Sequence, residues 1–448
     1  MATERRDGSV DATALSARLM GAGLAALREV AGSPVVDRFG LRPTLQRAIF
    51  EGTRRGFGLV GTLAAKAPSK PRKSPDFEKA ARPVLFDLNP SDEQEMLVEM
   101  LQRFSTEVLR EHARAADDAS ALPTEVVEAW DQLGMVEMLL PEAYGGLAED
   151  RSPLTIALVI EALSHGDAGM AWGLLASVSS ALLLLDHGTD AQRSERLPLF
   201  TGETRAGASM ALQEPTVLFD PRKLQTVAEP VGDGWVLHGR KTLVARAADA
   251  SFFLVSARTE RGPAIFIVDA DTTGVRIVDE PAMGLRSAGV ADLELTAVAV
   301  GADALVGGEV SREMYLDVLA RSRTAWCAVA CGVAAATHEF VGPYANERVA
   351  FGEPISHRQA VAFRIADMAL ETQAMRMLML RAASRLEYGI DAASAVGAAR
   401  RLAAEKGMYI GTNGVQLLGG HGFVKEYLME LWYRNLRGAG ILEGGLYL

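Results

Sequence analysis

The sequence predicts an α+β fold, mainly helical, in which a small antiparallel β domain separates two helical regions. Three observations carry this. Residues 90–205 and 311–448 place apolar side chains at helical spacing, whereas 206–305 break into short β-rich runs between Gly, Pro and Asp. The strands come as one block, without the strand–helix alternation of a doubly wound nucleotide-binding sheet. The 448 residues are 49% hydrophobic, enough to bury a large core over two or three domains.

Each element follows in order. Asp92, Glu93 and Glu95 open an amphipathic run, and a fully apolar helix contains residues 182–185. Between them Leu140-Pro141-Glu142-Ala143-Tyr144-Gly145-Gly146-Leu147 must turn, because Pro and paired Gly cannot continue a helix. Strands are expected at 235–239, 252–256, 264–268 and 293–300. Helical spacing then returns, with a long run from 358 to 388 carrying Val361, Ile365, Met368 and Met375, whose methionines read as core. The domain boundaries implied are 1–85, 86–205, 206–310 and 311–448.

Composition narrows the function classes. A net charge of -11 and the lack of a basic stripe argue against nucleic-acid binding. Cys327 and Cys331 share one helix face with no His or carboxylate beside them, so they read as small buried residues and not as a metal site. No uninterrupted apolar run of about 18 residues is seen, and Glu4, Arg5, Arg6, Asp7 and Asp11 deny the N-terminus the apolar centre of a secretory signal. The expected location is cytoplasmic.

Residues 1–85 differ from the rest. They hold 15 Lys/Arg against 8 Asp/Glu, while the remainder holds 31 against 49, so a basic appendage adjoins an acidic body. Prolines and like charges at 66–75 favour an extended linker. Two readings stand for the arm: a helical element packed on this or a sister subunit, or a basic amphipathic surface for peripheral contact with anionic membrane. Packing is preferred, because glycines at 21, 23, 52, 56, 58 and 61 weaken the apolar helix faces.

The chemistry is concentrated near the end of the chain. Gly414-Val415-Gln416-Leu417-Leu418-Gly419-Gly420-His421-Gly422-Phe423 forms a glycine-rich turn that lets a bulky anion approach the backbone. Ile441-Leu442-Glu443-Gly444 sets a lone carboxylate among apolar neighbours, a natural proton abstractor. In Tyr344-Ala345-Asn346-Glu347-Arg348-Val349-Ala350-Phe351-Gly352, continuing to Gln359, Arg348 offers a permanent planar charge suited to pyrophosphate, and Phe351 offers a stacking surface.

Together these segments resemble the acyl-CoA dehydrogenase family, over roughly residues 90–446. The resemblance implies a helical domain, a β domain and a C-terminal four-helix bundle. It implies FAD bound through Leu212, Gln213, Leu243, Ala245, Arg348, Phe351, Gln359, Gln416, Gly419 and Gly420. Arg348, Phe351 and Gln416 would serve mainly a neighbouring subunit's FAD, hence a homodimer or homotetramer. Glu443 would be the catalytic base, and Arg323, Leu442 and Gly444 would lie near an acyl-CoA substrate. The implied reaction is α,β-dehydrogenation of the thioester to enoyl-CoA, with electrons passed to an electron-transfer flavoprotein.

Departures from the family pattern are local. Gln213 stands for a usual Thr, and Thr216-Val217-Leu218-Phe219-Asp220 for a small glycine-rich turn. Leu243 replaces an aromatic beside the flavin and Ala245 a hydroxyl donor; losing one stacking contact and one hydrogen bond weakens flavin binding by ~1.5–3 kcal/mol. Asn435 replaces an Asp, and Glu443-Gly444-Gly445 lacks the Thr after the first Gly. The short tail to Leu448 implies a base that is exposed or covered by a partner. Two rival readings follow: a non-catalytic or FAD-poor subunit of a heteromeric enzyme, and a flavin monooxygenase of the same fold.

Overall fold

In the computed structural model, which describes residues 90–148, 151–201 and 205–448, the first helix begins at a capping box. Ser91 Oγ accepts the Gln94 N–H at 3.2 Å, and Gln94 Oε1 accepts the Ser91 N–H at 3.0 Å. Two donors that a helix start leaves unpaired are thereby satisfied. The expected arm and linker at 1–85 lie outside the described residues.

From that cap α1 (Asp92–Phe104) leads through a π-turn into α2 (Arg110–Ala119), then α3 (Thr124–Gln132) and the short α4 (Met135–Leu139). The expected turn follows as a single 3-10 turn at Glu142–Tyr144. Gly145 has φ 85°, and a Cβ on Gly146 would come within 1.8 Å of the Leu140 carbonyl oxygen, so this corner requires its glycines. α5 (Pro153–Ser164) and α6 (Ala168–His187) are apolar on almost every face and are buried accordingly. Although serines interrupt it, α6 is long and apolar enough to cross a membrane by length and composition, as is the later helix Arg312–Glu347. Neither is an uninterrupted apolar run, and both helices are mostly buried in the core. α7 (Asp190–Arg196) closes this region.

Seven strands form one sheet: β1 (Ala208–Ala211), β2 (Val227–Val231), β3 (Gly234–Val244), β4 (Phe252–Thr259), β5 (Gly262–Asp269), β6 (Val275–Asp279) and β7 (Ala291–Val300). The order is β1-β4-β2-β3-β7-β6, with β5 on β4. Most pairs are antiparallel as expected, but β1 and β2 each pair parallel with β4. The sheet is therefore mixed: β1 and β4 become neighbours only after the chain has crossed through the β2–β3 hairpin, and such crossovers permit parallel pairing. Phe253, Val255, Phe266, Val268, Leu293 and Leu295 fill its core.

α8 (Arg312–Glu347), a two-residue hairpin of β8 (Val349–Ala350) and β9 (Glu353–Pro354), α9 (Gln359–Glu387), α10 (Ala393–Leu418), α11 (Met429–Leu436) and α12 (Gly438–Ile441) complete the chain. The three long helices pack on one another, α11 packs on α8 and α10, and α5 packs on α8. Cys327 and Cys331 are free and buried on α8, where burial pushes the Cys327 thiol up to about 12. Beyond α12, residues 442–448 carry no helix or strand and are buried among these helices.

Candidate active site

Glu443 emerges from the turn after α12 with only 7% of its surface exposed. Two helices supply its partners. Arg323 Nε of α8 donates to Oε2 at 2.6 Å, and Arg400 Nη2 of α10 donates to Oε1 at 2.7 Å. Arg400 also donates to the Leu442 carbonyl at 2.9 Å, so it fixes the turn as well as the carboxylate. Burial lowers the Arg400 pKa from its ordinary value, with Glu443 opposing the shift and Arg323 reinforcing it. A buried cation persists only when paired, and here two cations share one anion.

The segment after Glu443 is itself buried. Trp326 Nε1 donates to Gly444 O at 2.9 Å and Trp172 Nε1 to Gly445 O at 3.1 Å, the two indoles meeting edge to face with centroids 5.1 Å apart. Tyr447 N donates to Ser179 Oγ at 3.1 Å, and Tyr447 O–H donates to Asp186 Oδ2 at 2.7 Å. Arg321 donates to Leu448 O at 3.0 Å, and Arg151 donates to the same oxygen. Leu446, Tyr447 and Leu448 are fully buried. Gly445 sits at φ 90°, where a Cβ would meet the Trp172 indole at 2.6 Å. A short tail was expected to leave the base exposed or covered by a partner; instead Glu443 is buried within this chain, and so are the residues that follow it.

On the sheet side, Leu212 adjoins Gly444 so closely that a Cβ on the glycine would meet the Leu212 Cβ at 2.5 Å. Gln213 O accepts the Thr242 N–H at 3.0 Å, tying this loop to β3. Beneath it lies a fully buried ion pair: Lys241 Nζ is 2.8 Å from Glu214 Oε1 and 3.0 Å from Ser256 Oγ. Burial lowers the Lys241 pKa to about 8. Burial alone would push the Glu214 carboxyl up, but the Lys241 charge and the Gln225 and Thr226 N–H groups hold it below its ordinary value. Leu243 takes φ 52° at a β3 bulge, a strained conformation for a leucine, and Ala245 is buried with its carbonyl accepting the Ser209 hydroxyl at 2.5 Å.

The remaining predicted positions form a surface group. Arg348, Phe351, Gln359, Gln416, Gly419 and Gly420 are exposed, Phe351 by 96%. Phe351 and Gln416 line one cavity of about 500 Å³ together with Arg358, Val361, Arg364 and Asn413. Gly419 has φ 59°, and both glycines face open space.

Arg400, Trp172 and Trp326 were not singled out from the sequence. Arg400 had a signal, because it shares a helix face with Val396, Ala403 and Gly407, where a charge is out of place. The indole donors had none, since a tryptophan in an apolar helix reads as core.

Comparison with known proteins identifies the family of each of the three regions. Residues 91–203, 209–298 and 313–445 match the N-terminal, middle and C-terminal domains of acyl-CoA dehydrogenase. Cyclohex-1-ene-1-carbonyl-CoA dehydrogenase of Geobacter metallireducens is 30% identical over 362 residues, covering 79% of this chain and 95% of that protein. The mitochondrial short-chain specific acyl-CoA dehydrogenase of Bos taurus is 31% identical over 360 residues, covering 78% and 86%. Among solved structures, butyryl-CoA dehydrogenase from Megasphaera elsdenii aligns with a TM-score of 0.73 at 28% identity, over 80% of this chain and 96% of that one. The chain belongs to the acyl-CoA dehydrogenase family, a family of FAD-dependent oxidoreductases.

Proposed function

We propose that this chain oxidises an acyl-CoA thioester to the enoyl-CoA with Glu443 as the base, electrons leaving to an electron-transfer flavoprotein. The observation that carries the proposal is a single carboxylate, 7% exposed, held by side chains from α8 and α10 at the position the family motif assigns to the base.

The residues present fit FAD. Gln213 Oε1 is buried without a protein hydrogen-bond partner, which is costly unless a ligand donor meets it, and Gly419 and Gly420 leave space for a close approach to the backbone. Gln213, Leu212, Leu243 and Ala245 would hold the cofactor from the sheet side. Bound FAD supplies the two-electron acceptor for the β-hydride. Arg348, Phe351, Gln359 and Gln416, all exposed, would complete the site of a neighbouring subunit in a homodimer or homotetramer, which accounts for an aromatic ring left 96% exposed.

Glu443 takes the α-proton. In the arrangement described, each of its oxygens is committed to a guanidinium, so one contact must open before a substrate proton is met. Arg323 is the partner that yields, because its side chain is 25% exposed against 16% for Arg400, and Arg400 is fixed by its bond to Leu442 O. The Glu443 N–H and the surrounding burial then favour negative charge on the thioester oxygen in a water-poor site.

The same double commitment of Glu443 favours one second reading, a non-catalytic subunit that pairs with an active homologue. Flavin content and enoyl-CoA formation by the purified chain separate the two. Protein that carries FAD and forms enoyl-CoA supports the dehydrogenase; colourless protein without turnover supports the partner role.

A further inference from the structure

We infer that residues 446–448, which continue from the Gly444 and Gly445 carbonyls held by Trp326 and Trp172, set the acyl-chain specificity of this enzyme: they occupy the space a long acyl chain would need and restrict the substrate to short acyl groups. The inference rests on the dehydrogenation proposed above.

The position of Glu443 fixes where an acyl chain can go. A substrate α-carbon must come to its carboxylate, and the chain beyond must continue into apolar surroundings. Arg323 and Arg400 make one side charged. The apolar side is lined by Leu212 of the sheet loop, Trp172 of α6 and Trp326 of α8, and the chain passes there directly after Glu443.

The segment is held as a groove holds a ligand. It has no helix or strand pairing of its own. Its main-chain groups are met one by one by the side chains of Trp326, Trp172, Ser179 and Arg321, and Leu446, Tyr447 and Leu448 are fully buried. The far end is polar: the Tyr447 hydroxyl meets Asp186 at 2.7 Å and His187 at 3.0 Å, with Arg321 and Asp317 adjoining. A longer alkyl chain would gain nothing there without first displacing three packed side chains and their hydrogen bonds.

The test uses the flavin-loaded full chain and compares kcat/KM for butyryl-, octanoyl- and lauroyl-CoA, alongside calorimetric binding of the same thioesters in a Glu443→Gln background, where turnover does not interfere. Wild type is expected to favour butyryl-CoA over octanoyl-CoA by about tenfold or more, the scale on which a hydrophobic pocket discriminates by size. The combined replacement L446G/Y447G/L448G should reduce or reverse that ratio in both turnover and binding. Two milder variants, Leu446→Ala and Trp172→Phe, keep the test decisive if the triple change fails to fold, and each should move the ratio the same way. Wild-type turnover with a chain-length ratio that folded variants leave in place overturns the inference alone. Turnover of no thioester by wild type overturns the dehydrogenase reading, and this inference with it.

Discussion

Replacing Lys241 by Met removes the cation of a fully buried pair and tests what holds the cofactor-side loop in place. Lys241 and Glu214 side chains are 0% and 1% exposed, so solvent does not screen their interaction. The Glu214 carboxylate would keep the Gln225 N–H at 2.7 Å and the Thr226 N–H at 2.9 Å. Breaking a buried pair by removing one partner costs ~3–5 kcal/mol, and the two retained donors place this case near the lower end, ~3 kcal/mol. The effect should extend to the loop, because Lys241 Nζ also reaches Leu212 O at 3.5 Å. The assay is equilibrium denaturation followed by far-UV dichroism and flavin fluorescence in parallel, since coincidence of the two probes reports whether the loop loosens separately. Lys241→Met should release flavin at lower denaturant than it loses helix. Adding Glu214→Gln should recover ~1–2 kcal/mol relative to the sum of the single effects, because contacting residues do not act independently. A loss under ~1 kcal/mol, or strict additivity in the double variant, refutes the reasoning.

Other outcomes follow from the same structure. The lowered Lys241 pKa of about 8 means that, between there and its ordinary value of 10.5, the unfolded chain holds a proton that the folded chain has shed. Stability therefore rises with pH across that window, and melting curves should show the margin of wild type over Lys241→Met widening from pH 8 toward 10.5. Asn435→Asp should destabilise the fold by ~2 kcal/mol at neutral pH, because the new carboxylate would face Asp167, which burial already pushes up. That penalty needs ionised carboxylates, so it should fade as the pH of the denaturation series falls toward ~4. Phe351→Ser should shift the unfolding midpoint by less than ~0.5 kcal/mol, since the ring is 96% exposed, yet lower flavin content and subunit association in sedimentation.

The block order of helices and strands was legible because each block carries its own period, and the turn at 140–147 because Pro and Gly leave little choice. The parallel β1–β4 pairing was not, since it depends on the path of the chain and not on the strands themselves. The motif around Glu443 was readable, but its environment was not: the two arginines come from 120 and 43 residues away. Asn435, a departure without a reason in the sequence, gains one in the structure. Its Oδ1 accepts the Leu285 N–H at 2.7 Å, and its amide faces Asp167 at 3.4 Å, where an Asp would set two carboxylates together. The burial of residues 444–448 was also hidden, because Leu-Tyr-Leu after two glycines has no period to interpret.

The central claim is tested most directly by anaerobic titration of the purified flavoprotein with butyryl-CoA, wild type beside Glu443→Gln, following the flavin absorbance and the enoyl-CoA product. The account predicts bleaching of the wild-type flavin with matching enoyl-CoA formation, and a variant that keeps its fold and flavin but loses most of the reaction, because the amide cannot accept the α-proton. Bleaching and product formation by Glu443→Gln at rates close to wild type would contradict it.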